Sequence, residues 1–435
     1  MFLKRVQLGL VHVAITMTLI PINSALNRVM IKELALSAAL VAALASLPYL
    51  FSPIQVAIGS FSDRNPIFGW RRTPYILLGL LFCVAGVIIA PYIAYLMAES
   101  YGLGLLAGLL AFGAWGMGFN FAAVSYFSLA TELSGHKGRA RTVATMFFMM
   151  VVSIIITSYS LGGLLEPYTR AALISSFRLV GVIALALGLL GLLGLETRGI
   201  KKARGAEKRY IWKEMYRSVR ANRQVALFFG YLILLLVAIL GQDILLEPYG
   251  AEAFGLSVSA TTRITSIWGT FFLISLSLGG ALENRVSKLT QARIGGWSGV
   301  CAFVLIVLSS MIGSLPVFYF GVILLGFATG LATVSNLALM LDMTAAERVG
   351  LFIGIWGMAN AISRLAGNLL AGVVRDGFAR FSGDVLLSYQ TVFVIQTIML
   401  ASSLWLLRLI DVASFRRQAS RHPKYAERAA LAGDS

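Results

Sequence analysis

Long apolar stretches alternate with short polar segments along the whole chain. Twelve of these stretches are about 20 to 26 residues long, which is the length that an α-helix needs to cross the hydrocarbon core of a bilayer. They occupy residues 8–27, 38–61, 73–95, 103–127, 143–165, 171–195, 225–246, 262–282, 294–315, 316–341, 351–374 and 385–410. We therefore predict an all-α membrane protein with twelve transmembrane helices.

The stretches fall into two groups of six, separated by a charged segment. The predicted units are an N-terminal six-helix bundle at 1–195, a basic linker at 196–223, a C-terminal six-helix bundle at 224–411 and a polar tail at 412–435. The two halves also echo each other, because the Leu-Ser pair at 36–37 recurs at 256–257. Such an echo is typical of two helical repeats that face each other across a central cleft.

Composition and charge restrict the class of protein. Apolar residues make up 58% of the chain, charged residues make up only 13%, and the mean hydropathy is +0.83, whereas soluble domains carry about 25% charged residues. The net charge of +17 is concentrated on one side of the predicted membrane, chiefly in the linker and the tail. By the positive-inside rule we expect both termini and the linker in the cytoplasm. The charge then indicates contact with anionic lipid and no nucleic acid partner.

The loop between the second and third predicted helices contains a recognisable charge pattern. Its elements are Gly59, Asp63, Arg64, Gly69, Arg71 and Arg72. They closely resemble the loop signature G-x-x-x-D-R-x-x-G-x-R-R of the major facilitator superfamily, with extra residues before the second glycine. We expect Asp63 to face the positive N-terminus of the eleventh helix near Gly350, and Arg71 and Arg72 to complete a conformational latch. The corresponding loop of the second half is degraded to Gly279, Glu283 and Asn284, so a symmetric second latch is not expected.

Two further segments are more specific than the loop. Residues 242–250 read QDILLEPYG and residues 26–34 read LNRVMIKEL. At these residues, and over essentially its whole length, the chain resembles the PucC/LhaA family of light-harvesting complex assembly proteins, the bacteriochlorophyll delivery branch of the major facilitator superfamily. The resemblance implies the major facilitator fold of two six-helix bundles in a bacterial inner or photosynthetic membrane. It also implies delivery of bacteriochlorophyll or chlorophyll, bound as cargo, to antenna polypeptides, with pigment-synthesis enzymes as further partners.

The residues of the two specific segments predict a polar surface. Asp243 and Glu247 are four residues apart and share a helix face, and in the repeat they lie opposite Asn23 and Asn27. At about 1.5 Å per residue, both acids come near the outer boundary of the membrane core. Two readings stay open, a salt-bridge girdle that closes the outer mouth or a polar site for a pigment headgroup or partner protein. The candidate members are Asn23, Asn27, Arg28, Gln242, Asp243, Glu247 and Arg263, with the two arginines as counter-charges.

Arg364 is predicted at a different depth. It lies about 20 Å into the eleventh span, where an unpaired guanidinium costs several kcal/mol. On this count no acid within the spans matches its depth, so we expect Arg364, with Asn360 one turn earlier, to hold the polar edge of a pigment. A proton-coupled carrier normally has an acid near the midplane, so its apparent absence weakens the main alternative, a secondary active or facilitative transporter of another small molecule. A chaperone that binds no pigment is a third possibility.

His12 is the only histidine placed inside a predicted span. It is a weak candidate ligand for the magnesium of chlorophyll, and the sequence indicates no other metal site. The chain also lacks a phosphate-binding loop, an H-E-x-x-H motif and a Cys/His cluster. We therefore predict that the protein is not an enzyme.

Overall fold

The computed structural model describes residues 2–198, 223–282, 285–342 and 349–410. Most of the predicted linker, the whole of the predicted tail, and Glu283 and Asn284 lie outside the described residues. Helices make up almost all of the described part, and Ile67 and Trp70 form an isolated β-bridge.

Ten helices in the described residues are long and apolar enough to cross a membrane. They are α1 (Phe2–Glu33), α3 (Thr73–Glu99), α4 (Tyr101–Gly135), α5 (Arg141–Leu164), α6 (Arg170–Leu192), α7 (Arg223–Ile244), α8 (Val258–Ala281), α9 (Lys288–Met311), α10 (Leu315–Asp342) and α12 (Val385–Arg408). The two other predicted spans are helical as well. They are the broken helix α2, made of Ala38–Ala45, Leu47–Leu50, Ser52–Ile54 and Gln55–Arg64, and the long helix α11, Val349–Ser382. The prediction of an all-α membrane protein is confirmed.

Helices α1, α2 and α7 each contain an irregular stretch of backbone. Helix α1 contains π-helical turns at Ile22–Leu26 and Val29–Glu33, and α7 passes through a 3-10 turn at Gly241–Ile244 before a further helix, Leu246–Phe254. Helix α2 breaks near Pro48, because proline cannot donate a backbone hydrogen bond to the preceding turn. Irregular backbone is tolerated inside a membrane only where protein or a cavity surrounds it. These breaks therefore mark positions where side chains can be directed into the interior.

Helix α11 packs backbone to backbone against two neighbours. A Cβ atom on Gly367 would come within 2.6 Å of the carbonyl oxygen of Val237 in α7, and one on Gly372 within 2.7 Å of the carbonyl oxygen of Ala38 in α2. Only glycine allows such close approach. The side chains that α11 carries between these two glycines are consequently held close to both α2 and α7.

In the described residues, the helix pairs along which the two halves of the chain meet include α1 with α7, α2 with α11, and α5 with α8. Many of their hydrogen bonds lie at one end of the bundle, which we name the distal end because it carries the α1–α2 connection at residues 34–37. Asp376 at the end of α11 accepts hydrogen bonds from the Ser37 hydroxyl at 2.6 Å and from the backbone N–H of Ala39 at 2.9 Å. Between α5 and α8, the Ser158 hydroxyl donates to the carbonyl of Thr262 at 2.5 Å.

Candidate functional site

The arginines of the signature loop bind acids of the first half. Arg71 and Arg72 both form ion pairs with Glu132 of α4, at 3.3 and 2.9 Å. Glu196, which follows α6, accepts hydrogen bonds from the backbone N–H groups of Arg71, Arg72 and Thr73 at 2.7 to 3.1 Å. A carboxylate in this position satisfies N–H groups that the first turn of α3 leaves free, and it complements the helix dipole.

The predicted contact of Asp63 with the eleventh helix stays a prediction. The side chain of Asp63 and the side chains around Gly350 lie outside the described residues. The other members of the motif are placed: Gly59 is buried in α2, and Arg64 is the exposed last residue of that helix. Gly69 has a φ of +83°, a conformation that favours glycine.

Arg364 forms an ion pair with Asp243 deep within the second half. The Nη1 atom of Arg364 on α11 meets Oδ2 of Asp243 in the 3-10 turn of α7, and Gln242 donates to the other carboxylate oxygen at 2.7 Å. The guanidinium also lies over the ring of Tyr49 in α2, 5.4 Å from its centroid. The side chains of Arg364 and Asp243 keep 29% and 20% of their surface accessible, so the pair is partly open.

This pair corrects the expectation that no acid matches Arg364 in depth. The sequence-based depth count treated α7 and α11 as regular helices that begin at the predicted residues. In the structure α7 changes to a 3-10 turn at Asp243, and α11 extends from Val349 to Ser382. The argument that the chain lacks an acid for coupled transport therefore loses its basis.

Further amides line the same face of α11. Asn360 lies one turn before Arg364, and its side chain donates to the backbone carbonyl of Trp356 at 2.9 Å. Asn368 lies one turn after Arg364 and donates to the Ser46 hydroxyl of α2 at 3.0 Å. The spacing of four residues places all three polar side chains on one stripe of α11.

The remaining predicted members lie nearer the distal end. Arg28 pairs with Glu33 and donates to the carbonyl of Leu256 at 3.2 Å. Arg263 lies 3.6 Å from Glu166. The predicted role of Arg28 and Arg263 as counter-charges of Asp243 and Glu247 stays a prediction. Arg28 interacts electrostatically with Glu247, but the ion pairs that the two arginines form in the described residues are with Glu33 and Glu166. Arg28 reaches Glu33 because the π-helical turn brings residues five apart onto the same face.

Glu247 and Asn27, two further members of the predicted polar surface, form hydrogen bonds to other groups of the described chain. Glu247 is 4% exposed and accepts a hydrogen bond from the Thr265 hydroxyl of α8 at 2.6 Å, while its Oε2 atom has no hydrogen-bond partner among the described residues. Asn27 donates to the backbone carbonyl of Asn23 at 3.0 Å. The backbone around Asn23 contacts the 3-10 turn that carries Asp243. The structure thus separates the predicted polar surface into a deep ion pair and a distal layer.

A lateral groove of about 350 Å³ runs along the contact between α5 and α8. Its walls are mostly apolar and include Ile156, Tyr159 and Ile267, with the hydroxyls of Ser160 and Thr270 as polar points. Ile156 and Tyr159 are exposed, so the groove opens sideways at the surface of the bundle. An apolar molecule dissolved in the membrane could occupy it.

His12 is enclosed by aromatic rings. It is 2% exposed, and the rings of Tyr126, Phe127 and Phe147 lie 5.1 to 5.5 Å from the imidazole. A macrocycle could reach this imidazole only if the rings moved, so magnesium ligation by His12 stays a weak prediction. Among the described residues, no group of three His, Cys, Asp or Glu side chains is arranged to hold a metal ion.

A comparison with known families decides the identity of the chain. The family model described as PUCC protein matches residues 25–415. The chain belongs to the PucC family. Protein PucC of Rhodobacter capsulatus is 31% identical over 425 residues, covering 91% of this chain and 90% of that protein. A second relative of this PucC-family chain, the Bacteriochlorophyll synthase 44.5 kDa chain of the same species, is 28% identical, covering 88% and 90%.

Solved structures show the fold of this PucC-family protein. A bacterial homolog of the human lysosomal transporter Spinster, in an inward-facing and unoccupied conformation, aligns with a TM-score of 0.71 at 13% identity, covering 95% of this chain and 97% of that one. A D-xylose-proton symporter aligns with a TM-score of 0.69 at 14% identity, covering 95% and 99%. The chain is an integral membrane protein with the major facilitator fold of two six-helix bundles.

The sequence did not identify several residues that contact the predicted site. Glu132 and Glu196 bind the loop arginines, and Tyr49 and Asn368 flank Arg364 and its stripe. A signal existed for Asn368, which is four residues after Arg364, and for Glu196, an acid at the end of a long apolar stretch. Tyr49 had none, because its position depends on how α2 and α11 pack.

Proposed function

We propose that this PucC-family protein binds bacteriochlorophyll or a related chlorophyll within the membrane and delivers it to antenna polypeptides during assembly of light-harvesting complexes. The observation that carries the proposal is a partly open ion pair, Arg364 with Asp243, inside a bundle that also has a lateral apolar groove. An amphipathic pigment needs both an apolar surface and a few polar anchors. The name of one relative, Bacteriochlorophyll synthase 44.5 kDa chain, agrees with a pigment role.

The groove between α5 and α8 supports access from the membrane. A chlorophyll with its long hydrocarbon tail already partitions into the bilayer, so transfer between pigment-synthesis enzymes and antenna polypeptides can proceed laterally. The groove is open at the side of the bundle, where Ile156 and Tyr159 are exposed. The role in this proposal is binding and transfer, without catalysis.

The proposal includes an orientation. The linker between the two bundles and both termini lie in the cytoplasm, because Lys and Arg are concentrated in these segments. The bundles are then the units 1–195 and 224–411. A reporter fused at residue 210 should be active only if it is a cytoplasmic reporter, and activity of a periplasmic reporter there would overturn the orientation.

Pigment content tests the proposal directly. The protein is purified gently from a phototrophic host, and its absorbance and associated polypeptides are recorded. We expect bound bacteriochlorophyll and antenna polypeptides with the native protein, and less pigment with the paired variant Asp243→Asn, Arg364→Gln, which removes both charges at once and leaves neither unpaired. A matched control is Glu99→Gln, Arg170→Gln, which neutralises an exposed ion pair of 3.0 Å and should leave pigment content unchanged.

A secondary transporter is the second candidate, and a specific observation favours it. Asp243 lies at a helix break, pairs with Arg364 and keeps part of its side chain accessible, an arrangement that can couple an ion to a conformational change. Its test uses the same protein in sealed vesicles. Gradient-dependent uptake of a soluble compound, together with the absence of pigment and of antenna polypeptides from the purified protein, would favour the transporter and overturn the pigment proposal.

A further inference from the structure

A small cavity in the second half carries an inference about how the cargo is recognised. It lies between α7, α10 and α11, and its lining includes Leu235, Ile239, Asn336, Trp356 and Asn360. The space in which the centre of a water-sized sphere fits is about 20 Å³. That is room for about one water molecule or one functional group of a larger ligand.

The cavity contains polar groups whose hydrogen-bonding capacity is unused. Asn336 on α10 is 2% exposed, and neither Nδ2 nor Oδ1 makes a hydrogen bond of good geometry among the described residues, although the hydroxyl of Tyr231 lies close by. The indole Nε1 of Trp356 is also buried without such a partner in the described part of the chain. Buried polar groups almost always form hydrogen bonds in proteins, so we expect a ligand group or a water molecule in the cavity that bonds to these atoms.

The other polar side chains of the cavity do not supply that partner. The hydroxyls of Thr329 and Thr333 each donate to a backbone carbonyl of their own helix at 2.7 Å. No charged side chain is among the described residues that line the cavity. The hydroxyl of Tyr231 can take one hydrogen bond of the Asn336 amide, which leaves two neutral N–H donors unmet, one from Asn336 and one from Trp356.

The chemistry of these groups selects a neutral acceptor on an apolar body. A carbonyl oxygen accepts from N–H donors, and the leucine and isoleucine walls favour a hydrophobic framework around it. Trp356, Asn360 and Arg364 follow one another at intervals of four residues on α11, so one extended ligand can contact this cavity and the ion pair. A charged group has no counter-charge in the cavity itself.

We propose that this cavity receives one carbonyl group of an amphipathic ligand dissolved in the membrane, with Asn336 and Trp356 as hydrogen-bond donors. The inference rests on the proposed function, in which the ligand is bacteriochlorophyll and the group is one of its peripheral ketone, acetyl or ester carbonyls. The competing occupant is a single ordered water molecule, which would satisfy the same atoms without selecting a ligand.

Two substitutions remove the donors with little change in volume. Asn336→Leu eliminates the amide group, and Trp356→Phe keeps an aromatic ring but removes the indole N–H. Thr333→Val is the matched control, because it alters the same lining while the lost hydroxyl is already bound to backbone. Purified protein in detergent is titrated with bacteriochlorophyll, and the carbonyl stretching bands of the bound pigment are recorded by resonance Raman spectroscopy.

The expected result is a dissociation constant about threefold to tenfold higher in each donor variant, as befits loss of one neutral hydrogen bond. One carbonyl band should also move toward the frequency of a free carbonyl, and Thr333→Val should match the native protein in both measurements. Thermal stability of the unliganded Asn336→Leu protein should change little, because the substitution removes a largely unpaired buried amide and leaves only the Tyr231 hydroxyl without that neighbour.

The outcomes separate this inference from the function on which it rests. Native protein that binds bacteriochlorophyll, with affinity and carbonyl bands unchanged in Asn336→Leu and Trp356→Phe, would overturn the carbonyl site alone and leave water as the occupant. Absence of pigment binding by the native protein would overturn the proposed function and the carbonyl site together.

Discussion

The deep pair of Arg364 with Asp243 and the distal pair of Arg263 with Glu166 use the same chemical groups in different surroundings. The deep pair lies within the bundle, with accessible fractions of 29% and 20% for its two side chains, whereas the distal side chains keep 39% and 65%. Water stabilises each partner of an exposed pair when the other is lost, but it does so poorly within a membrane bundle. The same substitution should therefore have unequal consequences at the two places.

The comparison also bears on how the two halves are held. The distal contacts join one half to the other, as Lys32 with Glu252 and Ser37 with Asp376 do. The deep ion pair joins two helices of the second half, and the ring of Tyr49 from the first half lies against its guanidinium. Distal contacts are thus suited to closing one end of the cleft between the two halves. The deep pair is suited to binding a ligand inside that cleft.

The largest expected effect comes from breaking the deep pair on one side. Arg364→Gln leaves the Asp243 carboxylate without its cation, and we expect a loss of about 2 to 4 kcal/mol in the free energy of unfolding, somewhat below the cost at a fully enclosed pair because this one is partly open. The measurement is thermal unfolding and membrane abundance of the purified variant.

The double variant Asp243→Asn, Arg364→Gln is the control for that prediction. It removes both charges, so most of the stability should return, and the interaction energy between the sites should be large. If the single and double variants were equally unstable, the guanidinium would be required for its packing on Tyr49 and not for its charge.

A smaller effect is expected where α11 binds the start of α2. Asp376 accepts hydrogen bonds from Ser37, Ala38 and Ala39, so it acts as an N-terminal cap supplied by the other half. Asp376→Asn should favour opening of the distal end by about 1 to 2 kcal/mol, the usual value of a helix cap. Cysteine labelling at distal positions reports the opening. Unchanged labelling would show that other distal contacts suffice.

The fold was predictable to a greater extent than the site. Apolar stretches of membrane-crossing length follow directly from the thickness of the hydrocarbon core, so span positions could be read from the sequence. The breaks inside the helices could not be placed from the sequence in the same way. The 3-10 turn that begins at Gly241 and the π-helical turn after Arg28 have a different rise per residue from a regular α-helix, and the depth of a residue was counted from that regular rise. The error for Arg364 and Asp243 arose from that assumption.

Side-chain partners were less predictable still. Glu132 lies 60 residues after Arg72 in the sequence. No spacing rule connects an acid with an arginine at that separation. The packing of α11 on α2 at Gly372 determines that Tyr49 reaches Arg364. Such contacts depend on which helices are neighbours, which a single sequence indicates only through weak repeats.

The smallest effect is expected at the exposed distal ion pair of Arg263 with Glu166. Glu166 lies 3.6 Å from Arg263 and accepts a hydrogen bond from the Ser259 hydroxyl at 3.0 Å. Glu166→Gln removes the charge but keeps an oxygen that can accept from Ser259, so the free energy of unfolding should fall by less than about 0.5 kcal/mol. The native pair should also weaken as salt is raised, since exposed charges are screened. Thermal unfolding of native and variant protein at low and high salt measures both effects. A loss as large as that of Arg364→Gln would mean that the distal layer, and not the deep pair, contributes the principal electrostatic stabilisation of the bundle.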